Sequence, residues 1–261
     1  MQTPNKMPVL FVGHGNPMNA IEDNEFTKSW REIGTTIPKP SSILCISAHW
    51  ETRGTKLTAM SNPKTIHDFG GFPRELYEVQ YPAAGNPELA TQIKSQIKLS
   101  EIGLDYSDWG LDHVAWSVIK QLYPKANIPV VQMSLNQNQA PKYHYELSKE
   151  LSFLRKNGVL IIASGNLVHN LRMVDWQNEY AAFDWALEAN EQMKKWILND
   201  NHQSLIDFNK QGKAFELAIP TAEHFLPLLY TLGLKDKTDS INFFTDKFVM
   251  GSLSMTGLQI G

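Results

Sequence analysis

The sequence holds little sulfur chemistry, no long hydrophobic run and no concentration of positive charge. One cysteine, Cys45, stands among 261 residues, which excludes an internal disulfide framework and makes a reducing cytoplasm the expected setting. No stretch approaches the ~18 apolar residues of a spanning helix. The opening MQTPNKMPVLFVGHG has an apolar run far shorter than a signal h-region and lacks a small-residue cleavage site. Net charge is -3 with no cluster of Lys and Arg, so neither nucleic acid nor an anionic membrane is expected as a partner. Phosphate fingerprints are missing as well. GHGNP and HDFGGFP carry glycines, yet neither matches a P-loop, and no Gly-x-Gly-x-x-Gly follows a strand. Linkers, repeats and low-complexity tracts are absent too, which makes residues 1–261 a single domain in expectation.

What is present is ample for a core, at 42% hydrophobic residues. Four short runs rich in Val and Ile read as strands buried on both faces: PVLFVG (8–13), SILCISAH (42–49), IPVVQMSL (128–135) and GVLIIASG (158–165). Amphipathic helical patterns lie between them. One opens at Asn86-Pro87 and runs to about Leu99, and a second follows Asp112 as HVAWSVIKQLY. A third spans about Pro141 to Asn157, and the longest about Trp176 to Asn199. Shorter ones fit 202–211 and EHFLPLLYTLG, and the tail INFFTDKFVMGSLSMTGLQI reads as a strand pair turning near Gly251. Alternating strands and helices predict an α/β fold, with a largely parallel central sheet and helices on both faces.

Three of the four buried runs end in histidine-bearing sequence: VGHGNP with His14, ISAHW with His49 and ASGNLVHN with His169. In a parallel sheet these strand ends lie along one edge, where α/β proteins place their sites. His224 in PTAEHFLP follows the short apolar run FELAIP and fits another strand-to-helix junction; His67 and His113 lie in loop or helix-start contexts. Taken singly, a histidine near a strand end is ordinarily a hydrogen-bonded loop residue, and it is the repetition that points to a site. His144 and His202, in polar helical surroundings, read as surface residues, Cys45 as core, and Trp109, Trp116, Trp176, Trp185 and Trp196 as packing.

Six segments in order carry a resemblance: GHGNPMNAIEDN (13–24), SAHWET (47–52), TIHDFGGFP (65–73), LDHVAWSVI (111–119), SGNLVHNLR (164–172) and AEHFLPLLY (222–230). Together they resemble the class III extradiol ring-cleavage dioxygenases, and most of all the 4,5-DOPA branch, over nearly the whole chain. The resemblance implies a metal held by His14, His49 and His224 with His169 close to it. A more distant branch uses a glutamate as third ligand, and Glu223 stands beside His224. Neighbouring residues point in different directions, so both cannot readily reach one ion; the 4,5-DOPA branch favours His224 and leaves Glu223 a supporting role.

The implied reaction joins a catechol to dioxygen, both small-molecule partners. Three protein ligands leave positions open for them on iron(II), the logic of the facial triad. Imidazole suits iron and zinc alike, so zinc(II) can occupy the isolated protein, but zinc lacks the redox chemistry. Protons must also move, off the catechol and onto oxygen, and histidine suits both steps. His169 is the first candidate for this role and His113 the second. His169 has two options, a fourth ligand or a free proton carrier. Two other readings compete, a zinc-dependent hydrolase using the same pocket and a non-catalytic metal-binding interaction protein of the same fold. The physiological catechol and the oligomeric state are not legible.

Overall fold

The computed structural model describes residues 6–261. The four apolar runs form parallel strands β1 (Val9–Gly13), β2 (Ser42–Thr52), β5 (Val130–Asn136) and β6 (Val159–Gly165). Between β2 and β5 in the chain come two short strands, β3 (Thr55–Thr58) and β4 (Ile102–Asp105). The C-terminal tail adds β7 (Ile241–Phe244), β8 (Phe248–Val249), β9 (Leu253–Ser254) and β10 (Gly257–Ile260). The main sheet runs β4-β3-β5-β2-β6-β1-β10-β7, while β8 and β9 form a separate hairpin. Its centre is parallel and its two flanks carry antiparallel pairs, β3 with β5 and β1 with β10.

Alternation along each central strand feeds two cores. Val9, Phe11, Leu44, Ile46 and Ile161 face one, whereas Leu10, Val12, Ile43, Cys45 and Ile162 face the other. A strand buried on both faces has no reason to alternate apolar with polar residues, which explains the continuous runs. The first core is covered by α3 (Pro87–Gln96), α5 (Pro141–Glu150), α7 (Asp184–Leu198), α9 (Lys213–Ala218) and α10 (Leu226–Gly233), with α6 (Phe153–Lys156) and α8 (His202–Ile206) adding to it. The second core is covered by α1 (Glu25–Thr36), α2 (Arg74–Tyr77) and α4 (His113–Leu122). None of these helices is long and apolar enough to cross a membrane.

Several boundaries differ from the sequence reading. The helix expected from 141 to 157 is two, since Leu151 and Ser152 bond back to Ser148 and Lys149 in a tight turn. The longest helix begins at Asp184, not Trp176. Residues 179–183 are drawn into main-chain pairing with the tail instead: Met250 N donates to Glu179 O, Gly251 N to Ala181 O and Phe183 N to Gly251 O. FELAIP, read as a short apolar run before a junction, is mostly α9, so His224 sits on a helix-to-helix turn. The strand pair in the tail is present twice, as the β8–β9 hairpin and as β7 with β10. The hairpin tip has two consecutive left-handed residues, Met250 (φ 51) and Gly251 (φ 77). Glycine is needed at the second, because a Cβ there would lie 2.6 Å from the Phe183 ring.

Candidate metal centre

The C-terminal ends of β1, β2 and β6 lie side by side, and the loops leaving them build one cavity of about 470 Å³. His14 directly follows β1, and its N–H donates to Gly165 O at the end of β6. His49 lies within β2 at an irregularity, where the pairing with β5 jumps from Ile46 to Glu51 against only Met133 to Leu135. The extra residues leave the ladder and re-aim the side chain. His224 arrives from far along the chain, fixed by Asn166 N donating to His224 O at 2.8 Å. That approach requires glycine at position 165, where a Cβ would stand 2.2 Å from the His224 carbonyl oxygen. His169 is held through its backbone, donating to Ala218 O and bridging to Leu253 on the hairpin. Asp112 caps α4, accepting from Ala115 N, and so sets His113 at the first helical position.

Ligand atoms of His14, His49 and His224 all lie within 4.8 Å of one another. Two nitrogens sharing one ion at ~2.0–2.1 Å can be no more than ~4 Å apart, so the set is close to what one ion demands. Each ring is locked through its Nδ1. Glu223 Oε1 stands 3.0 Å from His224 Nδ1, and Asp68 Oδ2 stands 2.8 Å from His49 Nδ1. Carboxylates accept, so both Nδ1 atoms carry the proton. For His14 the partner is Ser164 Oγ at 3.2 Å. The single hydroxyl proton of Ser164 is committed to Val114 O, so Ser164 accepts and His14 Nδ1 donates. All three rings therefore carry the lone pair on Nε2, the arrangement in which metal-binding histidines are oriented by an outer layer of acceptors.

Charge follows the same logic. Burial, helped by the neighbouring histidines, pushes His14 well below its usual range. Burial also lowers His224 despite the opposing Glu223, and lowers His169 to about 3. Neutral imidazole is the form that binds metal. Burial acts on His49 in the same direction, but the Asp68 hydrogen bond and the charges of Asp112, Asp68 and Glu223 outweigh it and raise its pKa. Burial alone would raise the two supporting carboxylates, yet hydrogen bonds from His113 and His49 hold Asp68 far below the usual range. Those from His224 and neighbouring groups take Glu223 down to about 2.

Asp68 also accepts from His113, at both backbone N and Nδ1, 2.9 Å each. One carboxylate thus orients His49 and His113, whose ring centroids are 4.5 Å apart. His169 lies flat on His224, centroids 3.5 Å apart and planes 5° from parallel. An ion in the plane of one ring therefore lies outside the plane of the other. Two further groupings, His49 with Asp68 and His113, and His169 with Glu223 and His224, overlap the first. Asp68 and Glu223 already accept from imidazole N–H groups, which makes them supports.

His14, His49, His113, His169 and His224 thus line one cavity. His67 does not; its Nε2 pairs with Val79 O. Its neighbour Asp68 lies within the TIHDFGGFP segment of the resemblance, but the sequence assigns it no role at the site. Trp176, expected to be packing, is 82% exposed and forms part of the cavity wall with Phe69, Phe72 and Leu171. His144, expected at the surface, is fully buried with Nδ1 3.0 Å from Tyr230 Oη.

Residues 8–259 match the family model described as the catalytic LigB subunit of aromatic ring-opening dioxygenase. The chain belongs to that family. It is accordingly an oxidoreductase of the ring-opening dioxygenase class, within which metal dependence is general. Curated relatives include a protein of Escherichia coli K12 named 4,5-DOPA dioxygenase extradiol, 44% identical over 98% of this chain and 95% of its own. A Beta vulgaris protein of the same name is 34% identical over 94% and 93%. The crystal structure of an uncharacterised protein from Escherichia coli K12 superposes with a TM-score of 0.86 at 40% identity, covering 98% of this chain and all of the other.

Proposed function

We propose that the chain is an extradiol dioxygenase acting on a catechol with a side chain, such as DOPA, through iron(II) held by His14, His49 and His224. The observation that carries this reading is the convergence of three imidazoles whose ligand atoms lie within 4.8 Å of one another, each with Nδ1 engaged and the lone pair left on Nε2. Bound there, iron(II) supplies the redox chemistry that lets dioxygen react with the aromatic ring, which zinc cannot do. The protein's own residues handle binding and protons. Phe69, Phe72, Leu171 and Trp176 give the cavity apolar walls suited to a flat ring and limit its hydration. His169 is the first proton carrier: it lines the cavity beside the three imidazoles, where its ring can exchange a proton with a catechol hydroxyl. Its stacking on His224 favours this role over that of a fourth ligand. His113, with Nδ1 donating to Asp68, offers Nε2 as the second. The whole chain works as one catalytic domain, and its lone buried thiol suits a cytoplasmic enzyme.

Anaerobic loading with iron(II), followed by exposure to air with a series of catechols, tests the reading. Oxygen uptake should depend on the catechol and yield a yellow ring-opened product. Uptake indifferent to catechol, together with zinc-dependent ester cleavage, would replace the dioxygenase with a hydrolase.

A further inference from the structure

The cavity holding the histidines has a neighbour. A second cavity of about 260 Å³ shares Asn16, Trp176 and Met250 with it, and its lining includes Glu22 and Glu179. Nearby acidic groups are taken: Asp23 pairs with Arg31 and Lys28, and Glu25 with Lys247. Glu22 and Glu179 form no ion pair among the described residues. Neither cavity has a Lys or Arg in its lining. The indole of Trp176, on the shared wall and largely exposed, leaves a face open to a ligand.

A catechol whose ring meets the histidines directs its side chain away from them, and the second cavity adjoins the first at Asn16, Trp176 and Met250. We infer that the second cavity is a side-chain subsite in which Glu22, Glu179 and Trp176 select catechols bearing an ammonium group over those bearing only a carboxylate. This rests on the dioxygenase reading above. An ammonium meets two unpaired carboxylates and an indole face able to make a cation–π contact. A lone carboxylate meets two like charges and no cation, so the site discriminates by repulsion as well as attraction. Both glutamates are exposed, so each contact is screened and the preference is several-fold.

The test is an anaerobic calorimetric titration of the zinc-loaded protein, which binds without turnover, using dopamine, ethylcatechol and dihydroxyphenylacetate. Dopamine should bind about five-fold more tightly than ethylcatechol, with dihydroxyphenylacetate weakest. The gap should shrink in high salt and in the Glu22→Gln/Glu179→Gln double variant, and kcat/KM in the iron form should follow the same order. Equal affinities, or a dopamine preference that survives in the double variant, overturn the subsite while ring cleavage stands. No cleavage of any of the three by the iron form overturns the dioxygenase reading and the inference with it.

Discussion

Nε2 of His14, His49 and His224 is available because another residue has claimed each Nδ1, so the outer acceptors are as testable as the histidines. Asp68 uses both oxygens, one for His49 and one for His113. Asn in its place keeps one acceptor and turns an amide N–H toward an imidazole N–H. Asp68→Asn is therefore expected to weaken metal binding ~10–100-fold, measured by competition with a chelator; wild-type affinity would mean that Asp68 orients nothing. His169→Ala should keep its iron and still bind catechol while ring cleavage falls ~10²–10⁴-fold, the scale of a lost acid–base group. Iron loss in that variant would make His169 a ligand after all. His14, His49 and His169 are legible in the sequence because each follows an apolar run at a strand end. Asp68 is not, because its role depends on two imidazoles distant in sequence. Trp176 at the cavity wall is equally hidden, because residue type does not report exposure.

At the scale of elements, the site depends on how closely the β6 end approaches the turn carrying His224. Gly165→Ala would press a Cβ against the His224 carbonyl. The strand or the turn must then move, at a cost of ~1–3 kcal/mol, and the bond from Asn166 N should lengthen. Denaturant unfolding should show the lower stability, and metal titration a stoichiometry below that of the wild type; unchanged values in both would mean the turn is slack. The four central strands can be read directly, since burial on both faces writes a continuous apolar run. The flanking strands β3 and β4 cannot, because TKLT and IGLD are short and partly exposed. Helix α1 buries only Phe26, Thr27 and Trp30, too thin a stripe to stand out, although its Asn24–Thr27 capping box is present in the sequence.

For the whole molecule, the buried histidines set how stability changes with pH. His144, between α5 and α10, is lowered by burial from 6.5 to about 4. A folded-state pKa below the unfolded value means that the unfolded chain takes up the proton first. Stability contributed by neutral His144 is thus complete above about pH 6.5 and is lost as pH falls toward 4, by ~3 kcal/mol for that group alone. His14, His169 and His224 act in the same direction in metal-free protein. Unfolding free energy measured across this window should fall on acidification, and His144→Leu should flatten the slope by about one proton, whatever it costs under alkaline conditions. An unaltered slope would mean that His144 is already protonated in the fold.

The central claim is that three histidines assembled from the ends of the chain and from β2 hold iron(II) for insertion of dioxygen into a catechol ring. Its most direct measurement is the stoichiometry of oxygen uptake by the iron-loaded protein in the presence of a limiting catechol. The account predicts equimolar consumption of dioxygen and catechol, with a ring-opened product and no hydrogen peroxide released. Conversion of the catechol to a quinone with release of peroxide, or no uptake at all, would contradict it.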